Sequence, residues 1–165
     1  MSVSANPFSD QSKGEEIPMR ITLESDYALR ILTALAEYDS VVDATTLSEA
    51  TSVTLRFTLK ILNKLAKGGF VSSFKGAKGG YMLKLPTAEI TLKSVIELID
   101  GPIVIARCLE SSEACSLNRD KTSCSYHHIF NTISIDVAKK LDRITIADVI
   151  SKNYSILFCI RIRRE

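Results

Sequence analysis

Short helical periods joined by tight connections fill residues 26–67. Two clusters of strand-forming residues then flank a glycine-rich tip at 75–80, and a long apolar stripe at helical spacing follows from about 124 to 141. Together these features predict a mainly α (α+β) fold: a winged helix-turn-helix head with a two-stranded wing, followed by a long C-terminal dimerisation helix.

Each element has its own signal. Residues 1–18 are polar, with no apolar run for a secretory signal and no Arg-rich character, and are read as a disordered arm. Tyr27, Ala28, Ile31, Leu32 and Leu35 recur at helical spacing, predicting a helix over 26–38 capped by Ser25 or Asp26. A brief helix over 45–50 turns Leu47 inward. The next, over 54–67, stops at Gly68–Gly69. Strands over 70–74 and 81–85 form the wing around KGAKGG, and Pro86 closes the unit. Thr91 caps a helix over 92–99, which Gly101–Pro102 breaks. Residues 107–123 lack periodicity and read as a loop. Tyr126, Phe130, Ile133, Val137 and Leu141 mark the long helix from Cys124. Thr145 and Asp148 have capping-box spacing at the start of the last helix. The chain thus divides into an arm (1–18), a winged helix-turn-helix domain (19–86), a cysteine loop with dimerisation helices (87–153) and a tail of unassigned role (154–165).

Net charge is only +2 across 165 residues, so the distribution of charge carries the information. From Thr54 to Lys84 there are seven Lys or Arg and no Asp or Glu. At about 100° per residue, Arg56, Lys60, Lys64 and Lys67 gather on one side of the third helix. Leu55, Leu59, Leu62 and Ala66 are expected on the other, packed on the core. A solvated lysine face is the ordinary reading of such a row. Here, however, no acidic residue interrupts it, and it continues into the wing at Lys75, Lys78 and Lys84. That is the footprint of a double-stranded DNA partner. Thr54, Arg56 and Phe57, at the start of the helix, are placed to reach base edges, and Lys60 and Lys64 to hold phosphates. Gly76, Gly79 and Gly80 permit positive φ or close backbone approach, so Lys75 and Lys78 can lie along the backbone.

No stretch reaches the roughly 20 apolar residues of a membrane span, and no membrane partner is expected. The expected compartment is the cytoplasm, where thiols stay reduced. Cys108, Cys115 and Cys124 fall within 17 positions, and His127 follows three after the last of them. At a helix start that spacing puts Cys124 and His127 on one side. Unpaired cysteines are often small buried hydrophobes, yet LESSEACSLNRDKTSCSY is too polar for a core. The pattern points to metal or redox chemistry, since thiolates are soft ligands for zinc and for iron–sulfur centres. Structural zinc sites usually pair cysteines two to four residues apart, and the wider gaps here suit something larger than one ion. Cys159, in the apolar ILFCI, is read as packing.

The segments MRITLESDYALRIL, LSEATSVTLRFTLKILNKLAKGGFVSSFKGAKGGYML and RCL…C…CSYHHIF, followed by ITIADVI, carry a family resemblance. Over residues 19–152 the chain resembles the winged-helix iron–sulfur transcription regulators that include IscR and NsrR. The resemblance implies a homodimeric operator-binding regulator, read as a repressor, with an iron–sulfur cluster on Cys108, Cys115 and Cys124. It offers two fourth ligands. His127 falls where one subfamily places a histidine on a 2Fe–2S centre, the favoured reading. Asp26 falls where another uses an aspartate of the partner subunit for a 4Fe–4S centre. The sensed signal would be iron–sulfur status, redox state or nitric oxide. Leu59 stands where IscR-like recognition helices carry glutamate. Two other readings stay open: the same fold with a cluster-free thiol sensor, and an interaction domain with a structural zinc. An enzyme is not expected, for no nucleophile–base pair or phosphate loop is present and the chain has only two histidines.

Overall fold

A computed structural model describes residues 21–76, 78–110 and 123–152. The expected arm 1–18, Cys115, Cys159 and the tail 154–165 lie outside the described residues. Among the described residues six α-helices and one hairpin follow in order: α1 (Leu23–Leu35), α2 (Ala44–Thr51), α3 (Leu55–Lys67), β1 (Val71–Phe74), β2 (Gly80–Leu83), α4 (Leu92–Asp100), α5 (Ser125–Asp142) and α6 (Ile146–Ser151), with 3₁₀ turns at Thr87–Glu89 and Arg107–Leu109. The expected winged helix-turn-helix head and long C-terminal helix are both present.

The start of α1 differs from the expectation. Thr22, not Ser25 or Asp26, is the N-cap, and its hydroxyl oxygen accepts the Ser25 N–H. Ser25 is instead fully buried, and its hydroxyl donates to Asp100 Oδ2 at 2.7 Å. Three neighbouring residues can all cap a helix. Here Thr22 takes that role, and the Thr22 and Ser25 hydroxyls both donate to the Asp100 carboxylate on α4.

Local chemistry fixes the remaining ends. Asp43 caps α2 by accepting the Thr45 and Thr46 N–H groups, and the Thr46 hydroxyl holds its carboxyl below the ordinary value. Thr91 caps α4 as expected, accepting the Ser94 N–H at 3.1 Å. The capping box at α6 is complete. Thr145 Oγ1 accepts the Asp148 N–H, and Asp148 Oδ2 accepts the Thr145 N–H. Hydrogen bonding from the Thr145 hydroxyl lowers the Asp148 pKa.

One core unites the head with the later helices. Ala28, Ile31, Leu32 and Leu35 of α1 meet Leu47 of α2 and Ile61, Leu62 and Leu65 of α3, and Ile90, Val95 and Ile146 complete the cluster. Ile146 and Leu92 reach across it with backbone bonds, the Ile146 N–H donating to Ile90 O and the Leu92 N–H to Ile144 O. The wing is an antiparallel pair with Val71 opposite Leu83 and Phe74 opposite Gly80. A Cβ on Gly80 would lie 2.4 Å from the Val42 carbonyl oxygen, so only glycine lets the wing root pair with the segment before α2.

The apolar face of α3 corrects the expectation. Its buried residues are Thr58, Ile61, Leu62 and Leu65, whereas Leu55 and Leu59 are 42% and 43% exposed. Thr58 occupies the core position because its hydroxyl donates to the Val53 carbonyl, so its polarity costs little there. That choice turns the stripe and pushes two leucines outward.

Candidate nucleic-acid interface and sensor site

The outer face of α3 carries Arg56, Lys60, Asn63 and Lys67, all exposed, flanked by Leu55 and Leu59 on one side and by Phe57 and Lys64 on the other. Thr54 is the exposed N-cap residue. Its side chain makes no capping bond, while its carbonyl accepts the Thr58 N–H. Phe57 stands edge-on to Tyr27 of α1, ring centroids 6.2 Å apart, with the Lys60 ammonium 6.0 Å from its own ring. The Arg30 guanidinium lies over the other aromatic ring, Tyr27, at 5.8 Å. Lys75 and Lys78 are exposed on the wing tip, where Gly76 adopts φ +111°.

One participant was invisible in the basic run. Glu24 of α1 forms ion pairs with both presumed phosphate lysines, with Lys60 on Oε1 and with Lys64 on Oε2 at 2.6 Å. The Lys60 ammonium, followed by that of Lys64, holds the Glu24 carboxyl below its ordinary 4.5. The acid-free stretch is therefore real in sequence but not in space. No pattern within 54–84 reports a residue on α1.

The described members of the expected sensor set lie on two elements that pack together. Cys108 sits in the 3₁₀ turn Arg107–Leu109, which packs on α5, and Cys124 is the N-cap residue of α5. The approach to that turn is pinned by the Ile105 N–H, which donates to Ser134 Oγ at 3.1 Å, while the Ser134 hydroxyl donates to the Phe130 carbonyl. His127 lies on nearly the same side of α5 as Ser134, seven residues earlier, or about two turns. Both cysteines are unbridged and half-buried. His127 Nδ1 is a buried side-chain nitrogen with no hydrogen-bond partner among the described residues. An orphaned buried imidazole nitrogen calls for an explanation, and a missing ligand is one. Soft sulfur donors with an imidazole make a donor set that fits an iron–sulfur group. Among the described residues no three His, Cys, Asp or Glu side chains converge on one point, Cys115 being outside them. Asp26 is engaged within its own helix by Arg30 at 2.7 Å.

The apolar stripe of α5 is open to solvent. Tyr126 is 71% exposed and Ile133 43%, with Phe130, Val137 and Leu141 partly covered, and Tyr126 stacks on Phe130 at 6.3 Å. Ile129, 53% exposed, belongs to the same face and was not picked out from the sequence. Among the described residues no helix is long and apolar enough to cross a membrane.

Comparison with known proteins fits this architecture. The family model described as "Rrf2: Iron-dependent Transcriptional regulator" matches residues 21–152. The chain is 28% identical over 141 residues to the HTH-type transcriptional regulator IscR of Yersinia pseudotuberculosis, spanning 84% of this chain and 83% of that protein. Its fold matches CymR, the global cysteine regulator of B. subtilis, with TM-score 0.66 and 21% identity over 81% of this chain and 98% of that one. It also matches IscR of T. potens with TM-score 0.61 and 19% identity over 82% and 89%. The chain belongs to the Rrf2 family of helix-turn-helix transcriptional regulators, DNA-binding proteins and not enzymes.

Proposed function

We propose that the protein is a homodimeric repressor whose operator binding is governed by an iron–sulfur cluster held by Cys108, Cys115, Cys124 and His127. The observation that carries this reading is the buried Nδ1 of His127, without a hydrogen-bond partner among the described residues, on the helix capped by Cys124, with the Cys108 turn packed on the same helix. When bound, such a cluster supplies a redox-active, signal-labile centre. This chain's own residues do the rest. The Ser134–Ile105 bond sets the cysteine strap on α5, the open stripe of α5 seats the second copy, and two recognition helices meet successive turns of a two-fold operator. Arg56, Phe57 and the neighbouring Leu59 face the base edges, an arginine fork being suited to guanine and apolar side chains to the thymine methyl. Lys64→Ala should weaken binding to all sequences about equally, whereas Arg56→Ala should cost on the order of 1–3 kcal/mol at one base pair and relax discrimination there.

The test is an ultraviolet–visible spectrum of anaerobically purified protein, wild type against His127→Ala and Asp26→Ala. A broad absorbance lost or shortened in lifetime with His127→Ala alone is expected. A change with Asp26→Ala alone would reassign the fourth ligand to the partner subunit. A colourless protein whose DNA binding responds to oxidants would favour the second reading, a thiol sensor. The unbridged, half-buried Cys108 and Cys124 are compatible with that reading.

A further inference from the structure

Glu24 is the second residue of α1 and lies 36 and 40 positions from the lysines it holds. Its side chain is 27% exposed, against 51% for Lys60 and 37% for Lys64, so the acid is the more covered partner in both pairs. The turn that carries it is anchored. The hydroxyls of Thr22 and Ser25 both donate to the Asp100 carboxylate at the end of α4, and Thr22 also caps the helix. Glu24 is therefore held at the lysines from its backbone, not brought there by a wandering side chain.

A carboxylate oxygen and a phosphate oxygen are alternative acceptors for the same ammonium protons. Lys60 and Lys64 are the residues assigned to DNA phosphates. With Glu24 between them the trio carries one net positive charge where two lysines alone would carry two. We propose that Glu24 is an internal competitor for the DNA backbone, restraining affinity by occupying Lys60 and Lys64 until phosphate displaces it. This rests on the reading of α3 as the DNA-facing helix. The carboxyl is held ionised by its two lysines, so the competitor stays charged through the neutral range. Displacement by phosphate, or a shift of the first turn of α1, releases the lysines; protonation near neutrality does not.

The experiment titrates the full chain, wild type and Glu24→Gln, against a short random-sequence duplex by fluorescence anisotropy at two salt concentrations. Non-specific binding is supplied essentially by phosphate contacts, so this probe reads the lysines directly. Glu24→Gln should bind about tenfold tighter at ~50 mM salt, with a log–log salt slope steeper by about one. The gain should shrink roughly fourfold by ~200 mM. In a Lys60→Gln, Lys64→Gln background the same substitution should give no gain. Glu24→Asp, which keeps the charge on a shorter arm, should gain less than Glu24→Gln. Unchanged or weaker binding with an unaltered thermal melt would overturn the competitor role, as would a gain that survives loss of both lysines. If Glu24→Gln unfolds, the wild type and the double-lysine variant still decide. Equal affinity and equal salt slope in those two would show that these lysines hold no phosphate for Glu24 to compete with. If no variant, wild type included, binds any duplex, the assignment of α3 to DNA falls first.

Discussion

The DNA-reading head and α5 bury their apolar residues to very different degrees. In α1 and α3, each 13 residues long, four of the α1 core residues and Ile61, Leu62 and Leu65 of α3 are nearly or wholly inaccessible. In the 18 residues of α5 the buried residue is Ser134, while Tyr126, Ile129, Ile133 and Ile135 are exposed. Polar groups repeat the contrast. In the head, Asp43 accepts the Thr45 and Thr46 N–H groups and Ser25 donates to Asp100, whereas His127 Nδ1 on α5 has no partner among the described residues. Uncovered apolar surface on that scale marks the face to which the proposed second copy is assigned. The head buries its apolar residues within one chain, whereas α5 leaves much of its stripe uncovered.

That contrast can be broken at several points. Leu62→Ala removes a fully buried side chain from the head and should cost about 2–5 kcal/mol, read as a lowered chemical-denaturation midpoint. Ile133→Asp places a charge in the α5 seam. It should raise the dimer dissociation constant by roughly two orders of magnitude, about 2.7 kcal/mol, in sedimentation equilibrium while leaving the head folded. If the unmutated protein is a monomer at micromolar concentration, the assignment of α5 to a second copy fails. Thr145→Ala removes the cap that starts α6 and should cost about 1 kcal/mol, felt in the shared core because Ile146 is part of it.

The smallest effect is the dependence on acid. Glu24, Asp43 and Asp148 all have folded pKa values below their ordinary 4.5, 3.8 and 3.8, caused first by Lys60, Thr46 and Thr145 respectively. A lowered carboxylate pKa means the unfolded chain binds protons more readily. The stabilisation is therefore full above the ordinary values and lost as pH falls through the folded ones. Melting temperature should be flat from neutrality to about pH 5 and then decline, and Asp148→Asn should remove part of that decline. A decline beginning near pH 7 would show that these three carboxylates do not set the acid dependence.

Sequence periodicity made most of the fold legible. The α4 cap, the wing and the Thr145–Asp148 box rest on residues within a few positions of one another, and local patterns report local chemistry. The misses share the opposite property. Thr22 caps α1, while Ser25 is buried with its hydroxyl on Asp100, 75 residues away. Leu55 and Leu59 face outward because Thr58 can satisfy its hydroxyl on Val53 and take the core position. The exposed cations of α3 could be read directly from the sequence, but the Glu24 carboxylate set against two of them could not.

The sequence by itself determined the order of elements, the cationic row, the cysteine pattern and the apolar stripe of α5, since each is a repeat or spacing along one segment. Only the tertiary structure decided what opposes those features. Packing α1 across α3 sets an anion against Lys60 and Lys64, and the Cys108 turn is laid on α5, where a buried His127 nitrogen has no partner among the described residues. The physical reason is that charge and hydrogen-bond balance are settled between groups a few ångströms apart in space, whatever their separation along the chain.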